Sequence, residues 1–236
     1  MIKTGTYAIL LVYIAANAVP CVADSGAANS ALEQNHEVTF SILSPDDHQL
    51  IGNAIYKTEK RGASTLLLGK NQYKDGEHDL EREEIALKDG DISRMMSFEH
   101  DFFDRDGSVK LLARANTDSG QAVCVSYESG RKHEISKQLD FPSDTYVGAA
   151  AVALMETAFR QGREQVDFHT FDCTPAPSII AVTAHRGEQD ERWAVYPKPL
   201  VRVKLTAKLG WLGDVIGNLL PHRNAWFDPR NWQYVG

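Results

Sequence analysis

Between His36 and Leu139 the chain carries glycine-containing turn pairs at near-regular intervals: Arg61-Gly62, Asp75-Gly76, Asp89-Gly90, Asp106-Gly107, Ser119-Gly120 and Ser129-Gly130. Such pairs supply the positive-φ positions that tight hairpins require. A spacing of roughly 10–17 residues is that of an antiparallel meander. The intervening segments alternate as half-buried strands do. Val38, Phe40 and Ile42 share one face, as do Val109, Leu111, Ala113 and Ala115, with Lys110, Arg114 and Asn116 opposite.

The period changes at Phe141-Pro142-Ser143-Asp144. Ser143 or Asp144 is placed to cap a helix over about 144–161 that stops at Gly162. From Val147 to Met155 this helix has no charged or strongly polar residue, which predicts burial nearly all round. Strands are expected again over 165–172, 178–185, 192–196 and 200–209, then a short apolar helix over 211–220 closed by Pro221. No linker interrupts 36–236, so one β-rich domain is expected. The fold class is mainly β (α+β): a strongly curved antiparallel sheet or incomplete barrel, with one long apolar helix on its concave face and a short C-terminal helix.

The first residues read as targeting rather than fold. Lys3 precedes an apolar run, Ala8 to Ala16, and Cys21-Val22-Ala23 offers small residues for cleavage after Ala23. That run is far shorter than the ~20 residues a spanning helix needs. The expectation is a cleaved signal peptide over 1–23, a loose polar leader over 24–35 and a periplasmic or secreted protein. Cleavage would remove Cys21 and leave Cys124 and Cys173, a pair that an oxidising compartment would bridge. An Asn-x-Ser/Thr acceptor is missing after residue 23, which favours a bacterial periplasm. A net charge of −7 without a basic run argues against nucleic acid as partner.

Motifs for nucleotide, phosphate or serine chemistry are missing. Glu99-His100-Asp101 has catalytic residue types, but in a strand His100 points away from its two neighbours, so a hairpin with solvated charges is expected. Asp104-Arg105-Asp106-Gly107 opens like a calcium loop yet lacks the later ligands, and reads as a hairpin turn. Asp167 and His169 share a strand face and form the one candidate acid–base pair. A metal site drawn from Cys124, Cys173 and two histidines has no ligand spacing behind it, so neither metal nor cofactor is expected. The apolar helix and the Trp-rich C-terminal region suggest a cavity lined by Val147, Ala151, Val152, Leu154, Met155, Phe159, Trp211 and Trp226.

An exported meander, one apolar helix opened by Phe141-Pro142-Ser143-Asp144, further strands and an aromatic end together resemble the exported β-clam proteins, such as the lipoprotein-localisation carriers. The resemblance implies a curved sheet wrapped round a helical plug, and an acyl chain or similar apolar molecule as ligand. The expected function is an exported carrier for a lipophilic ligand, in transient contact with membrane or envelope protein. The alternatives are a hydrolase using Asp167 and His169, or an envelope assembly factor that docks through its aromatic tail.

Overall fold

All six turn pairs fall between consecutive strands of one antiparallel meander. The computed structural model describes residues 37–43, 50–89, 91–128, 130–173, 176–188, 199–208 and 223–234. Eight strands form the first sheet in sequence order: β1 Glu37–Leu43, β2 Leu50–Arg61, β3 Ser64–Tyr73, β4 His78–Lys88, β5 Asp91–Phe103, β6 Val109–Asn116, β7 Gln121–Glu128 and β8 Arg131–Gln138. One helix follows, α1 Gly148–Arg160, then β9 Gln165–Asp172, β10 Ser178–Arg186, β11 Val201–Lys208 and β12 Arg223–Phe227. These last four make a second antiparallel sheet in the order β12-β11-β10-β9.

The single curved sheet is therefore corrected to two sheets, neither of them closed. Their inner faces share one core. Ile42, Ala54, Leu67, Ile85, Met95 and Phe98 from the first sheet meet Val166, Phe168, Val182 and Val203 from the second. The Phe98 and Phe171 rings touch edge-on at 6.2 Å, and Cys124 in β7 is disulfide-bonded to Cys173, just past β9, with Cα atoms 5.6 Å apart. The bond staples one sheet to the other.

Among the described residues α1 is the one helix, and it spans 13 residues, shorter than expected. Residues 144–146 are the reason. Instead of capping, Asp144 lays its carbonyl on the His169 N–H and Tyr146 donates its N–H to the His169 carbonyl, so this stretch runs extended along β9. Helical geometry begins only past Val147, which has no side-chain cap. Ala150, Ala151, Met155, Ala158 and Phe159 are buried, Val152, Ala153 and Leu154 are half-buried, and no residue from Val147 to Phe159 is exposed. The expected strand over 192–196 and helix over 211–220 lie outside the described residues.

The C-terminal half of α1 docks on the aromatic end of the chain. Phe159 stacks obliquely on Trp232 at 5.5 Å and edge-on against Phe227 at 6.0 Å. Tyr234 donates its N–H to Glu156 Oε1 at 2.7 Å. Phe227, Trp232 and Tyr234 are buried in this packing and belong to the core; Trp226, of opposite parity on β12, is buried as well.

The disulfide closes a 49-residue separation, for which loop entropy gives roughly 4 kcal/mol of stabilisation. Denaturant unfolding of the Cys124→Ala/Cys173→Ala variant should show a loss approaching that size, and an unchanged midpoint would refute the staple. A second prediction concerns Glu156, whose carboxyl burial pushes up to about 7, against the pull of the Tyr234 N–H and Arg160. An acid with a raised folded pKa binds its proton more tightly when folded. Its contribution is full below the ordinary 4.5 and declines as pH rises through 7. Glu156→Gln keeps an acceptor for Tyr234 and should shrink the fall in melting temperature between pH 5 and pH 8. An identical pH profile in the variant would contradict this account.

Candidate functional site: a buried carboxylate–histidine nest

Strand β4 is turned inside out. Asp79 (0% exposed), Glu81 (5%) and Glu83 (1%) point into the protein, while Leu80 between them is 42% exposed. The alternation itself dictates this, because the acids share parity with Ile85, which is fully buried in the core. A one-residue slip would bring Leu80 inside but throw Ile85 out and break the register with β3 and β5.

Neighbouring strands supply the partners. In register with the acids, Asn71 stands opposite Asp79, and His100 opposite Glu81. Asn71 Nδ2 donates to Asp79 Oδ1 at 2.7 Å and the Tyr73 hydroxyl donates to Asp79 Oδ2 at 3.0 Å. From β2, the Tyr56 hydroxyl reaches across β3 to donate to Glu81 Oε2 at 2.8 Å. Gly69 makes that reach possible. A Cβ there would stand 2.8 Å from the Tyr56 ring and 3.2 Å from Glu81 Cβ.

Glu83 has a different partner, the start of α1. Its carboxylate accepts the Ala149 N–H at 2.7 Å and the Ala150 N–H at 2.9 Å. It thus satisfies two of the amides that a helix N-terminus leaves open, from a strand 66 residues earlier in the chain. Gly148, with φ +42, packs directly on this carboxylate. A Cβ there would collide with Glu83 Oε1 and stand 3.1 Å from Glu81 Oε2.

The nest is electrostatically loaded. Burial pushes Glu81 up to about 7, Asp79 adds to the rise, and His100 and the Tyr56 hydroxyl act against it. Burial likewise raises Glu83 well above the usual carboxylate range, helped by Glu81 and opposed by the two helix amides. Burial pulls His100 down, but the carboxylates of Asp79, Glu81 and Asp101 outweigh it and the net shift is upward. His100 Nε2 is 3.5 Å from Asp79 Oδ1 and makes no hydrogen bond among the described residues. Asn71 Oδ1 is likewise buried without a partner. Asp79, Glu81 and His100 each bring one donor atom to within 4.8 Å of the others.

Asp167 and His169 both lie on β9, yet each has its own partner. Asp167 Oδ1 accepts from Lys208 Nζ at 2.8 Å and from the Thr183 hydroxyl at 2.6 Å, which together hold its carboxyl down to about 2. His169 Nδ1 lies 2.8 Å from Asp144 Oδ1. Cys173, which shares the strand end, is held in the disulfide. Of the expected cavity residues, Val147, Ala151, Met155, Phe159 and Trp226 are buried, Val152 and Leu154 are half-buried, and Trp211 lies outside the described residues. A surface depression at the β2–β3 turn, lined by Lys60, Ser64, Thr65, Leu87 and Asp89 among others, includes none of them. The Asp104–Gly107 stretch is a hairpin turn, closed by the Gly107 N–H on the Asp104 carbonyl at 2.9 Å.

The sequence reading passed over Asp79, Glu81 and Glu83, and it took His100 as solvated. His100 does point away from Glu99 and Asp101, as strand geometry requires, but it points inward. The signal was the shared parity of three acids with Ile85 and Leu87 in His78–Lys88.

Fold and site together define an antiparallel two-sheet β protein with an acid–imidazole nest walled in beside a helix N-terminus. No protein family and no curated protein matches the chain. Among solved structures it is similar to the crystal structure of a beta-barrel-like protein of the domain of unknown function DUF1849 from Brucella abortus. That likeness has a TM-score of 0.37 and 13% identity, and covers 78% of this chain and 79% of that one.

The inversion of β4 can be tested with small changes. Leu80→Ser on the outer face should alter stability by no more than about 0.5 kcal/mol. Gly69→Ala should cost roughly 1–3 kcal/mol by driving the Tyr56 ring off Glu81. Gly148→Ala should cost at least ~2 kcal/mol, since it adds left-handed strain to the collision with Glu83. Denaturant melts that rank Leu80→Ser as the most damaging of the three would overturn the assignment of faces.

Proposed function

We propose that this protein is an exported binding protein of the bacterial envelope, and that the β3–β5 nest, rather than the apolar face of α1, holds its ligand. The observation that carries the reading is His100 Nε2, buried beside Asp79 and Glu81 with no hydrogen-bond partner among the described residues. Burying carboxylates costs several kcal/mol each unless something compensates them, and sites that bear such a cost are enriched in function. A bound cationic or proton-donating group would compensate Asp79 and Glu81 directly. Export is supported by the inter-sheet disulfide, which suits an oxidising compartment, and by the signal-like residues 1–23.

A polar ligand replaces the lipophilic one because the buried helix positions are engaged by other side chains, Phe159 by Phe227 and Trp232 in particular. A hydrolase reading has little to work with, since Asp167 and His169 are committed to separate partners.

Protein purified from the envelope of its own host provides the test. Native mass spectrometry should show a species heavier than the bare chain that collapses to the chain mass on acid denaturation. Glu81→Gln should abolish the difference. Stoichiometric lipid in an organic extract, retained by Glu81→Gln, would overturn this reading in favour of a lipophilic carrier.

A further inference from the structure

The charges of the nest specify its ligand further. Of the three buried carboxylates, Glu83 is answered by two helix amides. Among the described residues, Asp79 and Glu81 face one imidazole, and the hydroxyls and amide around them contribute dipoles but no charge. A metal ion displaces protons from its ligands, so when bound it would face two carboxylates and a neutral imidazole, which one ion of charge +2 would balance.

The spacing agrees. At 3.5 Å, His100 Nε2 and Asp79 Oδ1 are too far apart for a good hydrogen bond, and Nε2 forms none among the described residues. Two donors bound ~2.1 Å from one tetrahedral ion stand about 3.4 Å from each other. The three donor atoms all lie within 4.8 Å of one another, against at most about 4.2 Å for two donors ~2.1 Å from one ion, so small side-chain rotations would bring all three into one shell. The outer partners are those expected around metal ligands. Tyr73 and Asn71 fix the Asp79 carboxylate and Tyr56 fixes that of Glu81, each through a hydrogen bond that orients the acid.

We propose that Asp79, Glu81 and His100 bind one divalent transition-metal ion. This inference rests on the reading of the nest as the ligand site and names the ligand's class. The mixed nitrogen and oxygen set favours Zn²⁺ or Mn²⁺ over Mg²⁺, which prefers an all-oxygen shell that keeps its waters. All three ligating residues are buried, so the ion enters as the chain folds, and binding adds to folding stability. It joins β4 to β5 at the strand pair that carries the start of α1. Glu99 and Asp101 lie on the opposite face of β5 and pair there with Arg114 of β6, so they do not compete for the ion.

The test uses the full chain without residues 1–23, refolded under oxidising conditions from denaturant in metal-free buffer. Zn²⁺, Mn²⁺, Mg²⁺ or Co²⁺ is supplied during refolding, followed by gel filtration and elemental analysis. One Zn²⁺ or Mn²⁺ per chain should be retained, with a higher melting temperature than in the metal-free protein, whereas Mg²⁺ should wash away. His100→Gln and Glu81→Gln should each weaken retention at least tenfold. Because these variants alter buried positions, the wild-type chain carries a second readout. Co²⁺ should give visible d–d absorption, and Zn²⁺ should displace it. A chain that retains no ion and shows no Co²⁺ spectrum overturns the proposal, as does equal retention by both variants, which would place the ion elsewhere. Release of an organic cation from the native protein, lost in Glu81→Gln, would also overturn it while leaving the nest as the ligand site.

Discussion

Glu83 is a carboxylate in the interior of an antiparallel sheet, and the two N–H groups that receive it belong to the first turn of α1. Much of the architecture depends on this contact. A buried carboxylate without partners would cost several kcal/mol or take up a proton. A helix N-terminus is a ready acceptor of negative charge, since its free amides and macrodipole both favour an anion. Each element solves the other's problem. The helix begins at Gly148 with no side-chain cap of its own, because the sheet supplies one. Gly148 is needed there because any larger residue would occupy the space of the carboxylate.

Once α1 is anchored at that end, the second sheet has little freedom. The 144–146 stretch that leads into the helix lies along β9. Phe171 and Cys173 then bring the end of β9 against Phe98 and Cys124 of the first sheet. At the other end of α1, Phe159 and Glu156 gather Phe227, Trp232 and Tyr234. The aromatic end of the chain is thereby used for packing, which accounts for its burial.

The meander was legible because its signals are local. A turn pair acts through the φ values of its own residues, and all six pairs fall where strands reverse. The cysteine bridge was legible because the expected cleavage of residues 1–23 would leave only Cys124 and Cys173 as candidates. The helix start was misread for a nonlocal reason: Ser143 and Asp144 have the chemistry of caps, but β9 recruits Asp144 and β4 supplies the cap from 66 residues away. The two-sheet division was hidden likewise, since alternation tells which face of a strand is buried and not which sheet it joins. The nest was missed because acids in a strand are ordinarily taken as its wet face, although in β4 the parity of Ile85 says otherwise.

That parity carries a further implication. A strand written with Asp79, Glu81 and Glu83 inward and Leu80 outward conflicts with hydrophobic patterning at three positions in succession. Local conflicts of this kind persist in natural chains chiefly at functional sites, where stability is given up for chemistry. A purely structural role would be met as well by apolar residues of similar volume, which often match or exceed a buried ionic cluster in stability. Glu83 alone has a structural explanation in the helix amides. Asp79, Glu81 and His100 have none of comparable strength: two tyrosines and an asparagine orient the acids, and the imidazole nitrogen that faces them has no hydrogen bond among the described residues. Within one strand, then, the acids divide by surroundings, with Glu83 holding the helix in place and its two neighbours forming the site proposed for a ligand.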